Sequence, residues 1–148
     1  MIIPDTNLLL YAYDLDCAQH RKAKGWWEDC LSGSESLGIP PVVIFGFARV
    51  ATHGRVLRNP MTVSEASVHI RSWLEQPCVS VLNTSPGHMH AVLTLLETVG
   101  TGGNLLTDAQ IAAMALDHGA TVHTNDGDFM RFPGLRWFNP LSGDRSAR

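Results

Sequence analysis

The chain opens Met1-Ile2-Ile3-Pro4-Asp5-Thr6-Asn7-Leu8-Leu9-Leu10. Four apolar residues followed by a carboxylate read as a first β-strand handing over to a first helix, and Leu8–Tyr13 is the apolar run of that short helix. Two later segments repeat the arrangement: Leu105-Leu106-Thr107-Asp108, and Thr121-Val122-His123-Thr124-Asn125-Asp126-Gly127-Asp128. In a parallel α/β sheet the carboxyl ends of the strands share one edge, and ligands bind in the crevice there. Acidic residues far apart in sequence therefore converge. Converging carboxylates repel one another unless protons or a metal ion neutralise them.

Working outward, strand and helix signals alternate along the whole chain. A second helix is expected from about Gln19 to Leu31, where Ala23, Trp26, Trp27, Cys30 and Leu31 fall on one face. Ser36–Ile39 reads as a strand, and Val42–Ala51 as a helix interrupted only by Gly46. Thr62-Val63-Ser64-Glu65 is a capping box. It opens a helix whose Val63, Ala66, Ile70, Trp73 and Leu74 face one way. Cys78–Leu82 is a strand candidate. Ser85-Pro86 marks a further helix start, with Met89, Val92, Leu93, Leu96 and Val99 as its stripe and Gly100 at its end. Thr107-Asp108-Ala109-Gln110 has the form of a second capping box, opening an Ala-rich helix through about His118, with Gly119 as its cap. Ala120–Thr124 and Leu135–Phe138 complete the strands. The pattern predicts α/β architecture with a mainly parallel sheet.

At 148 residues, 45% hydrophobic and 17% charged, the composition suits one soluble globular domain. No run approaches the roughly 20 apolar residues of a spanning helix. The N-terminus carries no basic segment followed by an apolar signal region, so export by such a signal is not expected. Cys17, Cys30 and Cys78 are odd in number and widely spaced, as expected of reduced thiols in a cytoplasmic protein. A net charge of −3 gives no global signal for nucleic acid, although local patches matter more than the sum. The seven histidines show no metal or triad spacing.

Each Asp alone has a bland explanation. Asp5 and Asp108 suit helix starts, where the dipole favours negative charge. Asp126 and Asp128 flank a glycine, as turn residues do. Jointly these explanations weaken, because three expected strand-to-helix junctions each carry an Asp near a Thr or Asn. Mg²⁺ and Mn²⁺ take oxygen ligands, and such an ion activates water and stabilises charge on a phosphodiester.

The segments IIPDTNLLLYAYD, FARVATHGRVLRNPMT and NLLTDAQIAAMALDHGATVHTNDGDFMRFPGLRWFNPL resemble the VapC toxins of bacterial toxin–antitoxin pairs, small PIN-domain ribonucleases, in their mycobacterial group. The resemblance runs to about Leu141. It implies a three-layer α/β/α PIN-like domain over residues 1–141 with four or five strands, followed by a polar tail, 142–148, expected to be frayed. It implies a Mg²⁺- or Mn²⁺-dependent endoribonuclease that cuts structured RNA, leaves a 3′-hydroxyl and a 5′-phosphate, forms a homodimer and is inhibited by a VapB-like antitoxin. By the same resemblance Asp5, Asp108 and Asp126 hold the metal, Asp128 adds to them, and Asn7 and Thr124 support the carboxylates by hydrogen bonds.

There is one departure. The family carries a Glu three residues before the Arg of the third helix; Arg49 matches that Arg, and the matching position is Gly46. One acid is missing, which motivates an alternative: a catalytically weak PIN module that binds antitoxin or RNA. A haloacid-dehalogenase-like phosphatase is a more distant rival, since Asn7 stands where that family expects a second Asp. Asp14 and Asp16 follow the first helix, within reach of the rim, but solvated surface is the expected reading. Arg49, Arg55 and Arg58 are the candidate phosphate contacts, positioning RNA without reading its sequence. Trp26-Trp27 and Phe45–Phe47 are expected to divide between the core and an association surface.

Overall fold

The computed structural model describes residues 1–147. Five strands and six helices alternate: β1 (Ile2–Pro4), α1 (Thr6–Tyr13), α2 (His20–Ser32), β2 (Leu37–Ile39), α3 (Pro41–Ala51), α4 (Val63–Leu74), β3 (Val79–Val81), α5 (His88–Val99), α6 (Leu105–Asp117), β4 (Thr121–His123) and β5 (Arg136–Phe138). A short 3₁₀ turn, Gly127–Arg131, lies between β4 and β5. All pairings in the sheet are parallel, in the order β3-β2-β1-β4-β5. Helices cover both faces, giving the expected three-layer α/β/α sandwich. Among the described residues, no helix is long and apolar enough to cross a membrane.

The strand order explains where a site can form. The chain moves from β1 outward to β2 and β3, then returns across the sheet to β4 on the other side of β1. The carboxyl ends of β1 and β4 therefore flank a topological switch point, where no crossover helix fills the crevice. Asp5 follows β1 there, and its N–H donates to the His123 carbonyl at the end of β4 (2.9 Å).

The core is built from β1, β2 and the helix stripes. Ile3, Leu9, Leu37, Ile39, Ile111 and Val122 are fully buried, each contributing about 1.5–3 kcal/mol of apolar burial. Aromatic packing joins α1 to α4. Phe47 meets Trp73 at 4.8 Å and Trp27 meets Trp73 edge-on at 5.5 Å, while the Trp73 indole N–H donates to the Tyr13 hydroxyl (2.7 Å). Trp27 and Phe47 are core; Trp26 is half-buried and Phe45 is exposed, so the aromatic pairs do divide. The three cysteines are free thiols.

Five expectations are corrected. Leu105-Leu106 is not strand but the first turn of α6, because Leu105 is drawn into the core (4% exposed). Thr107 consequently lies inside the helix, and the second capping box does not form; Asn104 takes the N-cap position without a side-chain bond. The α5 start lies at His88, after a turn through Ser85–Gly87 rather than at Pro86. On α4 and α5 the exposed apolar residues Val63, Leu74, Met89 and Leu93 leave the stripes, while His88 and Leu95 enter the α5 interface. Finally, the tail is not frayed over its described part, since it folds back onto β5. Gly119 sits one residue past the α6 cap, in the left-handed conformation (φ 57°) that favours glycine.

Candidate metal centre and its cleft

Asp5 occupies the N-cap position of α1 but makes no capping hydrogen bond there. Its carboxylate accepts instead from the Thr124 hydroxyl (2.8 Å). The same hydroxyl accepts the Asp126 N–H (2.9 Å), and Asp126 Oδ1 accepts the Asp128 N–H (2.9 Å). One threonine thus ties the end of β1 to the turn after β4 and sets where both later carboxylates project.

Asp108 reaches this turn from the first turns of α6. Carboxylate oxygens of Asp108, Asp126 and Asp128 all lie within 4.8 Å of one another. Asp5 stands outside that close group, nearly fully buried beside it. Burial raises the Asp5 carboxyl to about 6; the Thr124 hydrogen bond opposes the rise and the Asp126 charge adds to it. Asp108 is pushed up to about 7, first by burial and then by the charges of Asp5, Asp126 and Asp128. The four acids therefore form one electrostatic unit, held together at the cost of mutual repulsion.

Such a donor set suits a hard divalent cation, which takes carboxylate oxygens and relieves that repulsion. A second observation fits the same group. Thr6 Oγ1 is buried without a hydrogen-bond partner among the described residues, and a Cβ at Gly46 would lie 3.2 Å from it. The glycine therefore leaves a polar recess in the wall of the cleft, where a larger side chain would press on Thr6.

The cleft has a volume of about 370 Å³ and is bounded by Asp5, Asn7, Tyr11, Gly46, Arg49 and Asp108.

A model of the PIN domain matches residues 2–135. The chain belongs to the PIN-domain family. Within it the similarity is to VapC proteins. Ribonuclease VapC33 of Mycobacterium tuberculosis is 44% identical over 141 residues, covering 95% of this chain and 99% of that protein. Ribonuclease VapC37 of the same organism is 35% identical over 140 residues, covering 95% and 97%. Among solved structures, M. tuberculosis VapC20, described as a sarcin–ricin loop cleaving toxin, superposes with a TM-score of 0.67 at 18% identity, covering 88% of this chain and 93% of that one. VapBC2 of Rickettsia felis, bound to a promoter DNA fragment, gives 0.67 at 21% identity, covering 94% and 98%. At those identities the structural likeness is one of fold. Membership in the PIN family displaces the dehalogenase-like reading.

The PIN fold brings most of the sequence-derived set to one place. Asp5, Asp108, Asp126, Asp128 and Thr124 adjoin one another, and Asn7 and Arg49 line the cleft. Arg55 and Arg58 are exposed on the loop after α3, which lends its Val56 and Leu57 to the cleft wall. Arg131 pairs with Asp128 (3.3 Å), and Arg136 donates to the Gly119 carbonyl. Asp14 is half-buried in the cleft wall, contrary to the solvated reading; Asp16 is exposed and accepts from Asn59 (2.7 Å). Tyr11 escaped the sequence reading. The spacing of Asn7, Tyr11 and Asp14, four and then three residues, was the available signal, since it places all three on one helix face.

Proposed function

We propose that this chain is a Mg²⁺- or Mn²⁺-dependent endoribonuclease toxin, cutting phosphodiester bonds of structured RNA and restrained by a VapB-like antitoxin. The supporting observation is the close set of Asp108, Asp126 and Asp128 beside buried Asp5, at an open cleft, in a chain related to VapC ribonucleases. When bound, the ion supplies Lewis acidity toward a water and toward the phosphodiester. Asp108, Asp126 and Asp128 offer the oxygen donors; Asp5 joins them or completes their charge from beneath. Thr124 holds Asp5 and the Asp126 turn in register, and Asn7 orients groups at the cleft mouth. Arg49 faces the phosphodiester from α3, and Arg55 and Arg58 steady the flanking backbone. Residues 1–141 form the nuclease unit, working in the cytoplasm as a homodimer.

The test is cleavage of RNA by the purified chain with Mg²⁺ or Mn²⁺, read against Asp5→Ala. Metal-dependent cutting that Asp5→Ala abolishes supports the reading. No cutting by the native chain, or cutting unaffected by Asp5→Ala, sinks it.

A second reading is favoured by Gly46, which leaves the α3 wall of the cleft without a carboxylate: a module whose main work is binding. Gly46→Glu separates the two. A rise of tenfold or more in turnover from a near-inactive native chain, absent in Gly46→Gln, identifies the binding module; a native chain that already cuts and gains nothing from Gly46→Glu identifies an enzyme complete without that acid.

A further inference from the structure

Beyond β5 the chain turns back on itself. The Asn139 N–H donates to the Asp144 carbonyl (2.7 Å), the Gly143 N–H to the Asn139 carbonyl (2.8 Å), and the Ser146 N–H to the Trp137 carbonyl (3.0 Å). Arg145 pairs with Phe138 in an antiparallel bridge and lays its guanidinium over the Phe138 ring, 5.2 Å from the centroid. These residues lie beyond the stretch that matches the PIN domain. Between this turn and the Thr124–Gly127 loop is a cavity of about 420 Å³, walled by Asn125, Asp126, Met130, Trp137, Asn139 and Arg145. That size falls within the roughly 300–1,000 Å³ of small-ligand sites.

The walls have the chemistry of a nucleotide site. Trp137, half-buried, and Met130, exposed, give apolar surface against which a base can stack. Asn139 is spent on structure: its Nδ2 donates to Asn125 Oδ1 (2.9 Å) and its Oδ1 accepts the Leu141 N–H (2.9 Å). This orients the Asn125 amide and, with one N–H serving the Tyr11 hydroxyl, leaves the other as a donor. Asn125 also faces the Tyr11 hydroxyl of the acidic cleft, so it stands between the two cavities. The Asp144 carboxylate is engaged by the Ser142 hydroxyl (2.6 Å), whereas Arg145 enters no ion pair among the described residues. Its guanidinium is available to a phosphate. Asp126 belongs both to this cavity and to the acidic group.

We infer that this cavity seats an unpaired nucleotide of the RNA next to the bond that is cut, with Trp137 stacking its base, Asn125 contacting its edge and Arg145 holding its phosphate. Sequence-specific proteins read RNA chiefly through such unstacked bases. The tail is thereby part of the substrate-binding surface of the enzyme. This inference rests on the ribonuclease reading above.

The test uses the full chain with Mn²⁺ and a pool of RNA oligonucleotides of randomised sequence, with the cut ends sequenced. The native chain is expected to enrich one base at a fixed distance from the cut. Trp137→Leu and Asn125→Ala are expected to lose that enrichment and about tenfold in kcat/KM on the preferred sequence, whereas Arg145→Gln is expected to lose about tenfold in kcat/KM on every sequence with the enrichment kept; cutting of the pool persists in all three. Thermal melting and gel filtration accompany all three variants. If Trp137→Leu does not fold, Asn125→Ala decides the base preference and Arg145→Gln the phosphate contact, both at exposed positions. Cutting without base preference, a preference that Trp137→Leu and Asn125→Ala retain, or an Arg145→Gln variant with undiminished kcat/KM overturns the subsite and leaves the ribonuclease standing. Absence of any cutting overturns both. A variant that dissociates a dimer with base preference intact identifies the cavity as an interface, and also overturns the subsite.

Discussion

Two helix starts carry a threonine followed three residues later by Glu or Gln, and they use it differently. At α4, Thr62 accepts the Glu65 N–H (3.1 Å) while Glu65 accepts the Thr62 N–H (2.7 Å), closing a reciprocal cap. At α6, the equivalent Thr107 sits inside the helix and caps nothing. The difference follows from magnitudes. A cap contributes about 1 kcal/mol, whereas burying a leucine contributes about 1.5–3 kcal/mol. Leu105 is buried, and the helix begins early enough to include it. Asp108 is thereby placed on the wall of the cleft as a free carboxylate. Asp5 repeats the lesson at α1, standing at a cap position with its carboxylate bonded elsewhere. At α4 the polar groups of the helix start satisfy the backbone; at α1 and α6 the carboxylates are turned to the acidic group instead.

This contrast is open to direct attack. Asp108→Asn is expected to lower metal-dependent RNA cleavage by about 100-fold or more, since loss of a ligand should exceed the roughly 10–100-fold typical of its hydrogen-bonded supports. An unchanged cleavage rate would remove α6 from the site. Thr124→Val keeps the size of the side chain but deletes the hydroxyl shared by Asp5 and Asp126. Calorimetric metal affinity should drop by about 10- to 100-fold, with the fold retained by circular dichroism.

The pH dependence of stability provides a third measurement. Asp5 and Asp108 have folded values of about 6 and about 7, raised from 3.8. Between pH 4 and 7 the native state therefore binds more protons than the unfolded chain. Their stabilising contribution is complete below the unfolded value of 3.8, declines as pH rises, and is gone once pH has passed the folded values of about 6 and about 7. In chelator the melting temperature should decline over that window, Asp108→Asn should flatten the decline, and Mg²⁺ or Mn²⁺ should reverse it at pH 7.5. A melting temperature that climbs over the same window in native protein and variant alike would contradict the electrostatic account. The smallest effects belong to the caps themselves. Thr62→Ala should cost about 1 kcal/mol in denaturant unfolding without altering cleavage, and Thr107→Ala should stay within about 0.5 kcal/mol. Equal costs at the two positions would erase the distinction.

Much of the architecture was legible because the hydrophobic pattern is locally consistent. All five strands fall inside their sequence-derived segments, and the α2 stripe of Ala23, Trp26, Trp27, Cys30 and Leu31 packs inward as read. The order of the strands was not legible. Parallel pairing is settled by which helices cover which face, and a single sequence does not state that. Met89 and Leu93 obey helical periodicity yet are exposed, because α5 turns toward the core the face that carries His88, Val92 and Leu95. At the site, the convergence of Asp5, Asp108, Asp126 and Asp128 was readable from the sequence and the family resemblance, whereas their detailed grouping was not. That Asp128 joins Asp108 and Asp126 while Asp5 lies deeper depends on hydrogen bonds through Thr124, which span 119 positions.

That span has a consequence for biosynthesis. The Asp5–Thr124 bond joins the first strand to the fourth, and two of the acids grouped with Asp108 come after Thr124. A ribosome-bound chain that ends before β4 has Asp5 and Asp108 but lacks Thr124 and both acids of the turn, and its first strand lacks one of its two neighbours. Contacts of such long separation form late, after the closure entropy of the intervening loop has been overcome. The acidic group is therefore complete only in a chain extended past Asp128, when the message that encodes it has been almost completely read.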